Sequence, residues 1–276
     1  MPIATMLEYD FMRTALAAGI VVAVVAGAVG FFLVLRNLTF AGHALSHVGF
    51  AGATGAALLG GNPLWGLLAF TVSGGVAMGL LGERLRGRDV AVGIILSLSM
   101  GLGVLFLHFY TSYATQVTVL LFGNVLGVGP DVLRDLLILA IFTLGALGVI
   151  ARPLLFETLD PELAEAKGVS PRLIAVLFLV IVAVAVAEAV QVVGILLIFA
   201  LMVGPPAAAL RVTTRLTSGF VFSILFAVAV TWAGISLAYL TDWPPSFWIA
   251  ALSASLYTLS FAKDRTQRLD AAAGSK

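Results

Sequence analysis

The sequence predicts an all-α, polytopic membrane protein of about eight or nine transmembrane helices. Three observations lead there. Of its 276 residues, 61% are hydrophobic and 11% charged, against about 25% charged in a soluble globular domain. The apolar residues fall in runs of roughly the 20 needed to cross a bilayer. Thirteen of the fifteen lysines and arginines lie in one alternate set of the loops between those runs, the asymmetry that orients membrane proteins.

The elements follow in order. The opening MPIATMLEYDFMRT carries acids and runs straight into a full-length apolar segment, unlike a cleavable signal. Phe11–Leu35 reads as the first span. Ala41–Gly60 is the second, weak and rich in small residues. Leu64–Leu81 is the third and Val90–Tyr110 the fourth. Thr111–Gly129 is too polar at TSYATQ and too glycine-broken at VTVLLFGNVLGVG for a span. It reads as an external or re-entrant segment lining a cavity, where irregular backbone is tolerated at membrane depth. Asp131–Ala151 is the fifth span, and a polar interval follows from Arg152 to Arg172. Leu173–Leu210 holds two spans that turn near Glu188–Gly194. Ser218–Leu240 comes next, and Ser246–Ala262 is a short last span. The second and last runs are also compatible with half-helices. The whole chain, 1–276, reads as a single transmembrane domain with a basic tail at 263–276.

Arg36, Arg84, Arg86, Arg88, Arg152, Lys167, Arg172, Arg211, Arg215 and the tail share one side; Arg13 and Arg134 take the other. This places the N-terminus outside and the C-terminus in the cytoplasm. The absence of cysteine excludes disulfides, iron–sulfur clusters and thiolate metal sites. A net charge of +1 argues against a nucleic-acid partner. No internal repeat is evident, so an inverted-repeat carrier is not indicated.

The polar interval contains a short helix signal. Asp160 suits an N-cap, Pro161 the first helical position and Glu162 the first turn. LAEAK continues it, and Gly168 stops it before Val169-Ser170-Pro171. The pattern fits an ordered surface loop and a docking helix for a cytoplasmic partner alike.

His43 and His47 are two of only three histidines. Four residues apart on a helix, they share a face, and the same face continues through Ala51 and Gly55, where small residues predict open space. Ionisable groups inside an apolar bundle are costly and mark ion paths. Two imidazoles are too few for a closed structural zinc site, which takes four ligands, but suit an ion that must leave. HALSH is not the metalloprotease helix H-E-x-x-H, because Ala44 stands where the base would be. No G-x-S-x-G is present either. His108 ends the fourth span among Phe109, Tyr110 and Tyr113, as an interfacial residue or a receiver of metal from outside. Glu188 and Gln191 fall beside the expected outer turn, where an acid is solvated; with the turn elsewhere, Glu188 becomes an intramembrane ion ligand. No G-x-x-x-x-G-K-[ST] occurs, so any ATPase is a separate chain.

FETLDPELAEAKGVSPR resembles the cytoplasmic coupling segment of the permeases of bacterial zinc/manganese ABC importers. GHALSHVGFAG, with Ser46-His47, resembles that family's signature. VVGILLIFALMVGPPAAAL, opened by Gly194 and carrying Pro205-Pro206, resembles its late span, and LLFGNVLGVGPDVL has the family's look. The resemblance runs from about Phe31 to Phe261. It implies the metal-type importer permease fold in the bacterial cytoplasmic membrane. It also implies a homodimer embedded in lipid, two cytoplasmic ATPase subunits and an extracytoplasmic metal-binding protein. It places ATPase coupling on Asp160, Pro161, Glu162, Ala164 and Gly168. Zinc or manganese is then cargo, with no tightly bound cofactor and no enzyme activity in this chain. Many members carry aspartate where this chain has His43, and two imidazoles favour zinc over manganese. The rivals are a secondary carrier or channel for the same ion, and a membrane enzyme, for which no acid–base constellation is evident.

Overall fold

The protein is described by a computed structural model covering residues 6–81, 88–109 and 121–273. Among these residues there are ten α-helices, one 3₁₀ turn and no strand. The helices are α1 (Asp10–Leu35), α2 (Thr39–Leu58), α3 (Pro63–Leu81), α4 (Arg88–His108) and α5 (Pro130–Leu159). They continue with α6 (Pro161–Ala166), α7 (Pro171–Val193), α8 (Ile195–Val212), α9 (Leu216–Thr241) and α10 (Pro245–Ala273). Six of them, α1, α3, α4, α5, α7 and α9, are long and apolar enough to cross a membrane. The second and last runs of the sequence, now α2 and α10, fall outside that set, as does α8, the second half of Leu173–Leu210, which is apolar but shorter.

Two helices form the centre. The apolar windows of α1 and α7 are each 72% buried, against 22–33% for the other four spanning helices, so those four meet the surroundings with most of their surface. Around α1 pack α5, α7, α8 and α9; around α7 pack α2, α3 and α5. Without a hydrophobic drive between helices in lipid, close approach rests on small residues. Gly52 and Gly66 bring α2 and α3 together so closely that a Cβ on either would strike the other's carbonyl. Ser223 of α9 donates to the Gly27 carbonyl of α1 at 2.6 Å.

Two boundaries depart from the sequence reading, and a third, the turn at Gly194, falls where it was expected. The fifth span does not stop at Ala151: α5 runs through Pro153 to Leu159 and absorbs the first third of the polar interval. Proline removes its own N–H from the ladder and crowds the carbonyl four residues back, but the helix beyond it is anchored by Leu154, which is fully buried. Arg36 ties down the same turn, donating to the Leu154 carbonyl at 3.4 Å, to Thr158 Oγ1 at 2.8 Å and to the Glu157 carboxylate. The last helix likewise runs past its apolar run, since α10 continues to Ala273. The pair α7–α8 turns on a single residue, Gly194.

That turn meets the re-entrant candidate. Residues 111–120 lie outside the described set, but the rest of that segment is irregular, with a 3₁₀ turn at Val125–Gly127 capped by Asn124. Gly123 and Gly194 lie back to back at φ 76° and 85°. A Cβ on Gly194 would strike the backbone of Leu121, Phe122 and Gly123, and one on Gly123 would strike that of Val192, Val193 and Gly194. Both conformation and space therefore require glycine there.

Candidate functional site

α2 carries the histidines. From Ala41 to Gly55 every residue is buried except His43 and His47, which are half-exposed. The two imidazoles thus occupy the one stripe of this helix that its neighbours leave open. Their ring centroids are 4.7 Å apart, edge to face, and Phe199 of α8 closes on His43 at 4.9 Å. His43 Nδ1 is buried and has no hydrogen-bond partner among the described residues. A neutral imidazole has an acceptor nitrogen that a cation can take. Ser46 looks the other way, fully buried, with its hydroxyl donating to the Gly42 carbonyl at 3.2 Å.

The open lane expected beyond the pair is absent. Ala51 is fully buried, and a Cβ on Gly55 would lie 2.9 Å from the Phe106 ring of α4. Beside Ala51 the α4 backbone comes in at Gly103. The small residues of α2 serve helix packing rather than free space.

Glu188 is not a solvated acid. It is fully buried in α7, and neither carboxylate oxygen has a partner among the described residues. Its neighbour one turn on, Gln191, instead lines a cavity of about 300 Å³ with Asn62 and Asn124. The expectation failed because the chain turns at Gly194, one and a half turns later, and the turn is covered by Phe122–Gly123. His108 is exposed at the end of α4 against Phe109, as an interfacial residue would be. Among the described residues no three histidine, aspartate or glutamate side chains converge, so Glu188 and His108 stand apart from the histidine pair.

At the basic end, α6 has the geometry its sequence prescribes. The Asp160 carboxylate accepts from Leu163 N at 3.0 Å, and Pro161 is the first helical residue. The helix closes with Gly168 N donating to the Glu165 carbonyl and Val169 N to the Ala164 carbonyl, around Gly168 at φ 84°. This paired C-terminal cap fixes the exit of the chain, and Ser170 caps α7 directly afterwards. Ala164 is fully buried whereas Leu163 is 46% exposed. Ala164 therefore seats α6 on the bundle, and Leu163 is the apolar side chain that faces outward. Sequence pattern alone did not single out Leu163, Phe199, or the Arg36–Glu157 pair.

A bundle of apolar helices, with a half-open imidazole pair inside and a doubly capped helix at its basic end, defines a multi-pass permease. Residues 8–264 match the model of the ABC 3 transport family, and the chain belongs to that family of metal-importer permeases. It is 30% identical over 257 residues to the manganese transport system membrane protein MntC of Halalkalibacterium halodurans, covering 93% of this chain and 88% of that one. It is 28% identical over 255 residues to the manganese import system permease protein ScaB of Streptococcus parasanguinis, covering 92% and 91%. Its fold is similar to a chain of PsaBC from Streptococcus pneumoniae in complex with Fab, with a TM-score of 0.85 and 27% identity over 97% of this chain and 98% of that one.

Proposed function

We propose that this permease passes a divalent transition-metal ion across the membrane by way of His43 and His47, taking zinc ahead of manganese. The observation that carries this reading is the open stripe: two imidazoles in contact, the only half-buried residues between Ala41 and Gly55. Two nitrogen donors hold a borderline ion without enclosing it, and water, a carbonyl or the same pair of a second copy completes the shell. Phe199 stands on His43 and Phe106 closes the same face further along, beside Gly55, so passage requires α4 or α8 to shift. In this reading the protein works as a homodimer with its C-terminus in the cytoplasm. Two ATPase subunits dock on Pro161–Lys167, and an extracytoplasmic binding protein delivers the ion at the opposite end.

The test is uptake of radiolabelled zinc and manganese into vesicles carrying the permease with its ATPase and binding protein. His43→Ala and His47→Ala should abolish uptake at low metal while the ATPase still co-purifies. His43→Asp, which supplies a harder ligand, should move preference towards manganese. Normal zinc uptake in both alanine variants would defeat the site. Manganese as the natural cargo is the second reading, favoured by the names of the relatives; wild-type uptake in which manganese outcompetes zinc would establish it. Uptake without ATP would instead identify a secondary carrier or channel.

A further inference from the structure

A groove of about 570 Å³ opens between α1, α5 and α9, shares no lining residue with the histidine helix, and has no part in the transport reading. It runs along α5 from Leu144 to Leu155 and along α9 from Leu216 to Ile224, with Phe31 of α1 at its floor. At 1.5 Å per residue these are lengths of about 16 and 12 Å, against about 15 Å for one leaflet's share of a hydrocarbon core. Thr217 is the one polar residue in the lining. An extended peptide laid here would leave its backbone N–H and C=O groups unsatisfied at membrane depth. An acyl chain would not.

The mouth of the groove selects a charge. Leu155 and Leu216 line it at one end; Arg152 comes one turn before Leu155 and Arg215 directly before Leu216, both exposed and with guanidinium groups that make no ion pair or hydrogen bond among the described residues. The nearby carboxylate of Glu157 is already taken by Arg36. α9 also starts at this mouth with no side-chain cap on its first N–H groups, a position that favours an anion. A second copy seated symmetrically in the groove would bring further arginines against these two, a like-charge contact that costs stability.

We infer that the α1–α5–α9 groove is a binding site for one anionic phospholipid, its acyl chain along α5 and α9 and its phosphate between Arg152 and Arg215. Gly148 provides a clean probe. It lines the groove, and a Cβ there would meet nothing within 4 Å, so a large side chain can fill the groove without disturbing the bundle.

The full chain, delipidated in detergent, would be titrated with phosphatidylglycerol and with phosphatidylcholine of the same acyl chains and examined by native mass spectrometry. The wild type should retain one phosphatidylglycerol per protomer in preference to phosphatidylcholine. Arg152→Gln/Arg215→Gln should weaken phosphatidylglycerol about thirtyfold, at the strength with which a basic side chain holds an anionic headgroup, and leave phosphatidylcholine unchanged. Gly148→Phe should weaken both lipids, while Arg134→Gln at the opposite end should weaken neither. Equal retention of the two lipids, or of phosphatidylglycerol in the double glutamine variant, would overturn the site. So would a Gly148→Phe protein that loses its oligomeric partner, since the groove would then belong to a second copy.

Discussion

Arg36 and Glu157 form the one ion pair among the described residues that is shielded from solvent, with side chains 5% and 13% exposed. Removing one partner of such a pair strands the other, which costs about 3–5 kcal/mol, whereas replacing both with apolar groups is often neutral or stabilising. The two single variants should not be equal. Glu157→Ala strands a guanidinium that cannot give up its proton, while Arg36→Met strands a carboxyl group that can accept one. Glu157→Ala should therefore sit at the upper end of that range and Arg36→Met at the lower. At roughly 2–4 °C per kcal/mol for chains approaching this length, the unfolding midpoint should fall by roughly 6–20 °C. The double variant Arg36→Met/Glu157→Leu should recover most of the loss. Thr158 would still lose its donor, and the Leu154 carbonyl one of its two side-chain donors, so recovery should stop short of the wild type. The four tryptophans report unfolding in detergent by intrinsic fluorescence. A midpoint within about a degree of wild type for Glu157→Ala would refute the reasoning.

Three further outcomes are expected. Gly194→Ala and Gly123→Ala each force a Cβ into backbone at positive φ, so each should lower the amount of correctly inserted protein, while Gly148→Ala, with open space, should not; equal yields of all three would contradict the interlock. Leu163→Asp should abolish ATPase co-purification with the bundle intact, whereas Ala164→Asp should lower the unfolding midpoint as well; an unaltered complex with Leu163→Asp would remove α6 as the docking element. Single cysteines placed in this cysteine-free chain should be reached from outside at Asp242 and only from the cytoplasm at Ser170, and external labelling at residue 170 would invert the orientation.

What the sequence disclosed, it disclosed through periodicity and capping chemistry, which are local. The Asp160-Pro161-Glu162 start and Gly168 stop bracket α6 to within a residue because each rests on a hydrogen bond made within the same few residues. Two of the basic loops meet at one end, where Arg36 reaches the last turn of α5. Where the reading failed, a distant segment decided the matter. The sequence ends the fifth span at Ala151 because nothing local shows that Arg36, more than a hundred residues earlier, holds the turn beyond Pro153. Glu188 looked solvated because it stands near a turn, and only the approach of Phe122–Gly123 reveals that the turn is covered.

The histidine pair shows the same division within one helix. The spacing of His43 and His47 guarantees a shared face, and that part of the argument needs no tertiary information. Whether a face is open depends on every helix around it. Small residues read equally as space and as contact, and on α2 they are contact: α3 lies on Gly52 and α4 on Ala51 and Gly55. With those faces filled, the stripe left over is the one that carries the imidazoles. An open position on a helix so closely packed is costly in lost contacts unless something else comes to cover it. The burial pattern of α2 therefore argues for an occupant at His43 and His47 more strongly than the presence of two histidines does.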